Sequence, residues 1–313
     1  MPANVGTIWN LPNFHGELFT ASPQNTPFLS IMGGIDGART KITKNFEFPT
    51  SVNYNLRNPG QNVVSENASI TAPAPTSIQT AQVINTCQIH HEAVRVTYQK
   101  MANNGRVTGL NTSGEIANPN DLSKQIDWHL KQMANDIEFS FIQGAYTQVT
   151  ASADVGGTRG MVEACQLAGG TNENANAGAL DLALLQSFFL EMYNNGADFE
   201  DMLLYVPGTY KQQISQIYGF APTDRSVGGV NISQIEMDFG RVGIVPSRYA
   251  PANTILAIDV AKTAPVFQEI PDKGILFYEE LAKTGASETG QLYGHVGLDH
   301  GPAFAHGRLH NIG

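Results

Sequence analysis

Ile42, Phe46, Phe48, Val52, Tyr54 and Leu56 fall on even positions, with Asn45, Glu47, Asn53 and Asn55 between them. An apolar face that recurs every second residue marks a strand. The run Ala81 to Tyr98, rich in Val, Ile and Thr, reads as a second strand returning beside the first. Between them, Arg57-Asn58-Pro59-Gly60 through Pro73-Ala74-Pro75 is a turn-rich tip of little apolar content. The pattern predicts an extended β-ribbon over 42–100. About fifteen extended residues reach about 50 Å at roughly 3.3 Å each, farther than a compact lobe requires. A two-stranded ribbon is marginally stable alone in water. Its apolar face needs a cover, and another copy of the same chain is the natural candidate. On the return strand the apolar parity changes from Ala81, Val83, Cys87 and Ile89 to Val94, Val96 and Tyr98. That change predicts a bulge or bend around His90–Ala93, where the ribbon enters its own domain.

Residues 1–41 carry Pro2, Pro12, Pro23 and Pro27 among many Asn and Gly, together with Trp9, Leu11, Phe14, Leu18, Phe19, Phe28, Leu29, Ile31 and Met32. That is too apolar for a disordered tail, and the expectation is an ordered arm laid across another surface. Further on, Asn118-Pro119-Asn120-Asp121 is a helix-start signal. Leu122, Ile126, Leu130, Met133, Ile137 and Phe141 then form one stripe that ends at Gly144. The spacing predicts a spine helix over 121–143, a rod of roughly 34 Å at 1.5 Å per residue. Asp127, Asp136 and Glu138, interleaved with Lys124 and Lys131, are expected on its solvated or interface side. After a Gly-rich link come a helix over Leu180–Asn195, a buried strand Met202–Val206 and a helix over Tyr210–Tyr218. Strands are expected at 243–245, 254–258, 265–269, 276–281 and 292–298.

Composition adds to this picture. Charged residues make up 15% of the 313 positions, against about 25% in a typical globular chain. Asn, Gln, Thr, Ser and Gly take their place, and a surface poor in Lys and Glu shares the bias of protein–protein interfaces. The net charge of −10 is uneven: 9 Lys and Arg face 10 Asp and Glu over 1–149, 6 face 12 over 150–265, and 3 face 6 over 266–313. With no basic cluster, the chain is unsuited to sequence-specific reading of nucleic acid, though not to lining a container for it. Cys87 and Cys165 form no framework or metal spacing. No charged-then-apolar leader opens the chain, and no apolar run nears the length of a membrane span. A reducing cytoplasm and no membrane partner are the expectation.

Two segments carry a family resemblance. Asn25-Thr26-Pro27-Phe28-Leu29-Ser30-Ile31-Met32-Gly33 is similar to the opening stretch of one protein family. Leu281-Ala282-Lys283-Thr284-Gly285-Ala286-Ser287, with Gly290-Gln291 after it, is similar to a later segment of the same family. Together with the element order, they resemble the major capsid protein of tailed bacteriophages, the Hong Kong 97-type shell fold. Ala286 stands where that family has an acid, and Gly294-His295 where a Glu is common. The resemblance implies an α+β fold: an N-terminal arm at 1–41, an extended loop at 42–100, and a peripheral domain at 101–150 with the spine helix. An axial domain follows at 151–265, and 266–313 supplies return strands of the peripheral domain. It further implies self-assembly as pentamers and hexamers into an icosahedral shell around double-stranded DNA, non-specifically packaged on the inner surface. Portal, scaffolding and decoration proteins enter as partners, any scaffold as a separate chain. The virion is the location, with assembly in the bacterial host cytoplasm.

The residues expected to meet a neighbouring copy are Trp9, Phe14, Phe28, Phe46, Phe48, Val52, Tyr54, Leu56, Val83 and Ile89. The alternative for the ribbon aromatics is burial within their own chain. No catalytic residue, cofactor or metal is assigned. His295, His300, His306 and His310 crowd the C-terminus, but on a Gly-rich segment unlike the fixed scaffold a zinc site wants. Gly156-Gly157-Thr158-Arg159-Gly160 lacks the Gly-Lys-Ser/Thr ending of a phosphate loop and reads as a turn. The rival readings are a cellular nanocompartment shell, told apart by its protein cargo, a carbohydrate-binding β-protein of a virion or cell surface, and a hydrolase with a dispersed site.

Overall fold

The computed structural model describes residues 25–33, 39–54, 60–61, 63–73, 75, 77–78, 80–102, 122–218, 223–227 and 230–313. Its centre is the spine helix, Leu122–Gln143. Leu130, Met133, Ile137 and Phe141 are buried on it as the stripe predicts. The expected cap at 120 or 121 lies outside the described residues. The helix packs against two strands of a five-stranded sheet, Gln88–Thr97 and Ser287–Asp299. Ser287–Asp299 also pairs antiparallel with Ala264–Gln268 and Leu276–Glu280, and Lys41–Thr43 adds to Ala264–Gln268 in parallel.

A seven-stranded mixed sheet forms the second layer, in the order Thr171–Asn174, Gly307–His310, Thr254–Asp259, Met202–Val206, Gly240–Pro246, Val230–Met237, Thr223–Val227. Leu203 and Tyr205 turn into the core around the spine helix, and Met202, Leu204 and Val206 into a second core under helix Leu182–Asn194. A strand covered on both faces reads as an unbroken apolar run, which is why Met202–Val206 has no polar partner positions. The last strand, Gly307–His310, belongs to this sheet and not beside the strands of the first, where the family pattern put the whole of 266–313.

The N-terminal expectation needs correcting. Residues 27–33 are a helix whose every residue is buried in the molecule's own core. Phe28 stands edge-on to Tyr205 at 5.1 Å and to Phe141 at 6.5 Å, so it is no interface residue. Pro27 fits because the first helical turn needs no amide hydrogen from it, so a proline-rich segment need not be an extended arm. Glu138, expected on the outside of the spine helix, is fully buried. Its Oε1 accepts from the Phe28 amide at 3.0 Å and its Oε2 from the Leu29 amide at 2.7 Å.

The ribbon is also shorter than the pattern implied. Ile42 belongs to the separate strand Lys41–Thr43, and the ribbon proper is Glu47–Tyr54 against Thr80–Thr86. The return strand Gln88–Thr97 is paired along its length with Ser287–Asp299 of its own chain, so much of 42–100 takes its order from its parent. The break between the two halves is at Cys87, not at His90–Ala93: His90, Val94 and Val96 all point inward. Strands at 171–174, 223–227, 230–237 and 307–310 were not foreseen; Thr171–Asn174 has no apolar residue to reveal it.

Candidate assembly surface

Phe48 roots the ribbon. It is buried with Cys87 and Val266, and Gly297 makes room: a Cβ there would lie 2.8 Å from the Phe48 ring and 2.9 Å from the Thr86 carbonyl. The ribbon register runs Phe48 to Asn85 and Pro49 to Ile84, then Ser51 to Val83 and Val52 to Gln82. Thr50 is therefore an extra residue, a bulge beside Pro49, which has no amide hydrogen for the ladder. The bulge inverts the parity that follows. Phe48 and Val52, expected on one face, stand on opposite faces; Phe48 is buried and Val52 is 53% exposed.

The bulge points the Thr50 hydroxyl at the body, 3.2 Å from His300 Nε2 and 3.2 Å from the Val83 carbonyl. Asn85 is fully buried opposite Phe48. Its Nδ2 donates to the carbonyls of Leu298 at 2.7 Å and Arg159 at 3.2 Å, and its Oδ1 accepts from the amides of Arg159 at 2.7 Å and Thr86 at 2.9 Å. Arg159 lies over the Tyr146 ring and donates to Glu163 and to the Ile84 carbonyl at 2.9 Å. Thr86 Oγ1 donates to the Gly157 carbonyl at 3.0 Å. The 156–160 turn thus braces the ribbon root.

Beyond the root, the described residues of 60–82 are all exposed. Ser65 caps a four-residue helix, Glu66–Ser69, by accepting from the Ala68 amide. Around it Val63, Val64, Ile70 and Ile78 are exposed by 57% to 79%. The tip was expected to be poor in apolar residues; these four aliphatics are the interface candidates that period-two reasoning passed over. They follow no strand period, so only their presence in a turn-rich stretch marks them.

Of the other expected contact residues, Phe46 and Val83 are half-buried and Ile89 is exposed; Phe46 meets His295 edge-on at 6.4 Å. Tyr54 pairs with Thr80 through the backbone. Trp9, Phe14 and Leu56 lie outside the described residues. The C-terminal histidines are built into the fold. His306 Nδ1 accepts from the Asp259 amide at 3.2 Å and its Nε2 donates to the His300 carbonyl at 2.6 Å, while burial lowers its pKa to about 3. His300 Nδ1 donates to the Gly301 carbonyl, and burial lowers its pKa. Burial pushes the thiols of Cys87 and Cys165 up to about 12, which leaves both unreactive. Among the described residues no three His, Cys, Asp or Glu gather as metal ligands, and no helix is long and apolar enough to cross a membrane.

Comparison with known proteins gives the family and the fold. A family model described as SU10 major capsid protein matches residues 1–313. No curated protein matches the chain. Among solved structures, a chain of the cyanophage A-1(L) capsid is similar with a TM-score of 0.61 at 11% identity, over 92% of this chain and 93% of that one. A chain of Mycobacterium phage Patience gives 0.55 at 10%, over 95% and 89%. A chain of the SrpI encapsulin complex of Synechococcus elongatus gives 0.54 at 11%, over 88% and 85%. At such identities the likeness is one of fold, and it is the α+β shell fold that the family resemblance implied.

Proposed function

The chain belongs to the SU10 major capsid protein family, and from that premise we propose that its copies join as pentamers and hexamers into an icosahedral shell, each ribbon reaching onto a neighbour. The family itself makes the chain a structural subunit of a phage capsid. What supports the finer reading is the ribbon tip, whose Val63, Val64, Ile70 and Ile78 are largely exposed. Exposed aliphatics grouped on a projecting element are a surface for association. A neighbouring copy burying each of them adds a few kcal/mol at most per contact. Repeated around a closed shell, contacts of that size hold firmly while each stays reversible during construction.

In this reading Val52, Val83, Phe46 and Ile89 join the tip as contact residues, with Trp9, Phe14, Tyr54 and Leu56 from the set expected on sequence; Phe28 and Phe48 drop out, being spent on their own core. The lobe built on the seven-stranded sheet closes the rings, and the shell encloses double-stranded DNA in the virion after assembly in the host cytoplasm. Portal, scaffolding and decoration proteins are its further partners. Expression of the full chain followed by electron microscopy tests the proposal. Closed particles are expected; dispersed monomers would contradict it. Particles from an infection that hold protein cargo and no DNA would instead make it a nanocompartment shell.

A further inference from the structure

From the hydrogen bonds at the ribbon root, we infer that Asn85 is a positioning residue for assembly: it fixes the direction in which the ribbon leaves the body before any neighbour is present. The inference rests on the shell reading above. Asn85 sits where three segments of distant sequence meet, the ribbon, the 156–160 turn and the end of strand Ser287–Asp299. All four contacts of its amide are to backbone groups, two donated and two accepted. An amide is the side-chain group that offers two donors and an acceptor oxygen at one site. A hydrophobe there would strand the Leu298 and Arg159 carbonyls without partners in a buried place. The Asn85 bonds all lie on the ribbon's inner side, at one level.

Arg159 adds a second point of attachment on the same strand, through the Ile84 carbonyl, and Thr50 with His300 adds a third on the partner strand. Three attachments that are not collinear hold a rod in direction as well as in place. Outward of Val83, by contrast, the return strand is exposed at Thr80, Ala81 and Gln82. The ribbon is therefore a rigid-rooted lever. Its landing point on a neighbour, and with it the angle between adjacent copies, follows from the root.

Paired spin labels test this directly in the full chain kept dilute and unassembled, one at S69C on the tip and one at A183C on helix Leu182–Asn194. The native chain is expected to give a narrow distance distribution. Asn85→Ala is expected to broaden it while hydrogen exchange of the spine helix is unchanged, and its particles are expected to be irregular in size. An equally narrow distribution in Asn85→Ala would overturn the inference even if the native chain builds perfect shells. Absence of particles from the native chain would overturn the shell reading and leave the distance result standing. Should Asn85→Ala not fold, Arg159→Lys removes the Ile84 bond and the stacking on Tyr146 while keeping the charge. It is expected to broaden the distribution to a lesser degree, and an unchanged width there counts against the inference in the same way. Asn85→Asp supplies a pH profile. Its ionised oxygens face two carbonyls, and protonation restores one donor, so its distribution should narrow as the pH falls, with no such trend in the native chain.

Discussion

Glu138 sets the terms on which the N-terminal segment joins the core. Burial raises its pKa to about 8, against the pull of the Leu29 and Phe28 amides, which favour the carboxylate. Between its ordinary value of 4.5 and about 8 the folded chain holds a proton that the unfolded chain has released. Stability from this group is therefore full below that window and falls as pH rises through it. A glutamine side chain cannot ionise, but its Nε2 would face one of the two amide N–H donors, so Glu138→Gln should cost about 1–3 kcal/mol near pH 4, where the native chain still has its full stability from this group. It should also lose less stability than the native chain between pH 7 and 9, read by denaturant titration. An unchanged slope would assign the titration to another group. His306 and His90, lowered to about 3 and about 4 by burial, are neutral in the folded chain throughout that range. Phe28→Ala should destabilise by about 3–5 kcal/mol, a loss far larger than an exposed interface residue would show; a change under about 1 kcal/mol would return Phe28 to the surface. Glu138 was legible in part. It follows Ala134 by four and precedes Phe141 by three, which puts it on the flank of the buried stripe. Its charge outweighed its position, and no local signal announces two distant amides waiting for it.

At the scale of elements, strong periodicity carried through and weak periodicity did not. The spine helix, helix Leu182–Asn194 and strand Met202–Val206 all lie where their apolar spacing put them. Short strands such as Thr171–Asn174 and Gly307–His310 owe their pairing to tertiary neighbours and leave no pattern of their own. The ribbon shows a subtler failure. Even parity linked Ile42, Phe48 and Val52 into one face, but a bend near Lys44–Phe46 and the bulge at Thr50 divide them among three settings. Period two cannot see an inserted residue. What survives is the projecting element itself, with its uncovered part moved outward to the tip. Replacing Val63, Val64, Ile70 and Ile78 together by Ser should shift the unfolding midpoint of dilute subunits little, as exposed substitutions usually stay within about 0.5 kcal/mol each. The same variant should fail to form particles under conditions where the native chain assembles. Normal particles from it would remove the tip from the interface.

In the whole molecule, two sheets share one core through the spine helix and helix Pro27–Gly33, and the ribbon is a separate two-stranded sheet. Low charge suits a surface that packs against copies of itself. The order of elements and two short segments were enough to suggest the shell fold, because that fold is defined by its sequence of parts. The contact residues were harder to read, because contact with another copy leaves the same apolar mark as contact with the chain's own core; Phe28 and Phe48 are buried in the chain itself, whereas Val52 and Ile89 are exposed on it. Cryo-electron microscopy of particles assembled from the full chain decides between these origins in one map. The account predicts Val63, Val64, Ile70 and Ile78 packed against the adjacent subunit. A ribbon tip folded back on its own body, or standing free in solvent within a closed particle, would contradict it.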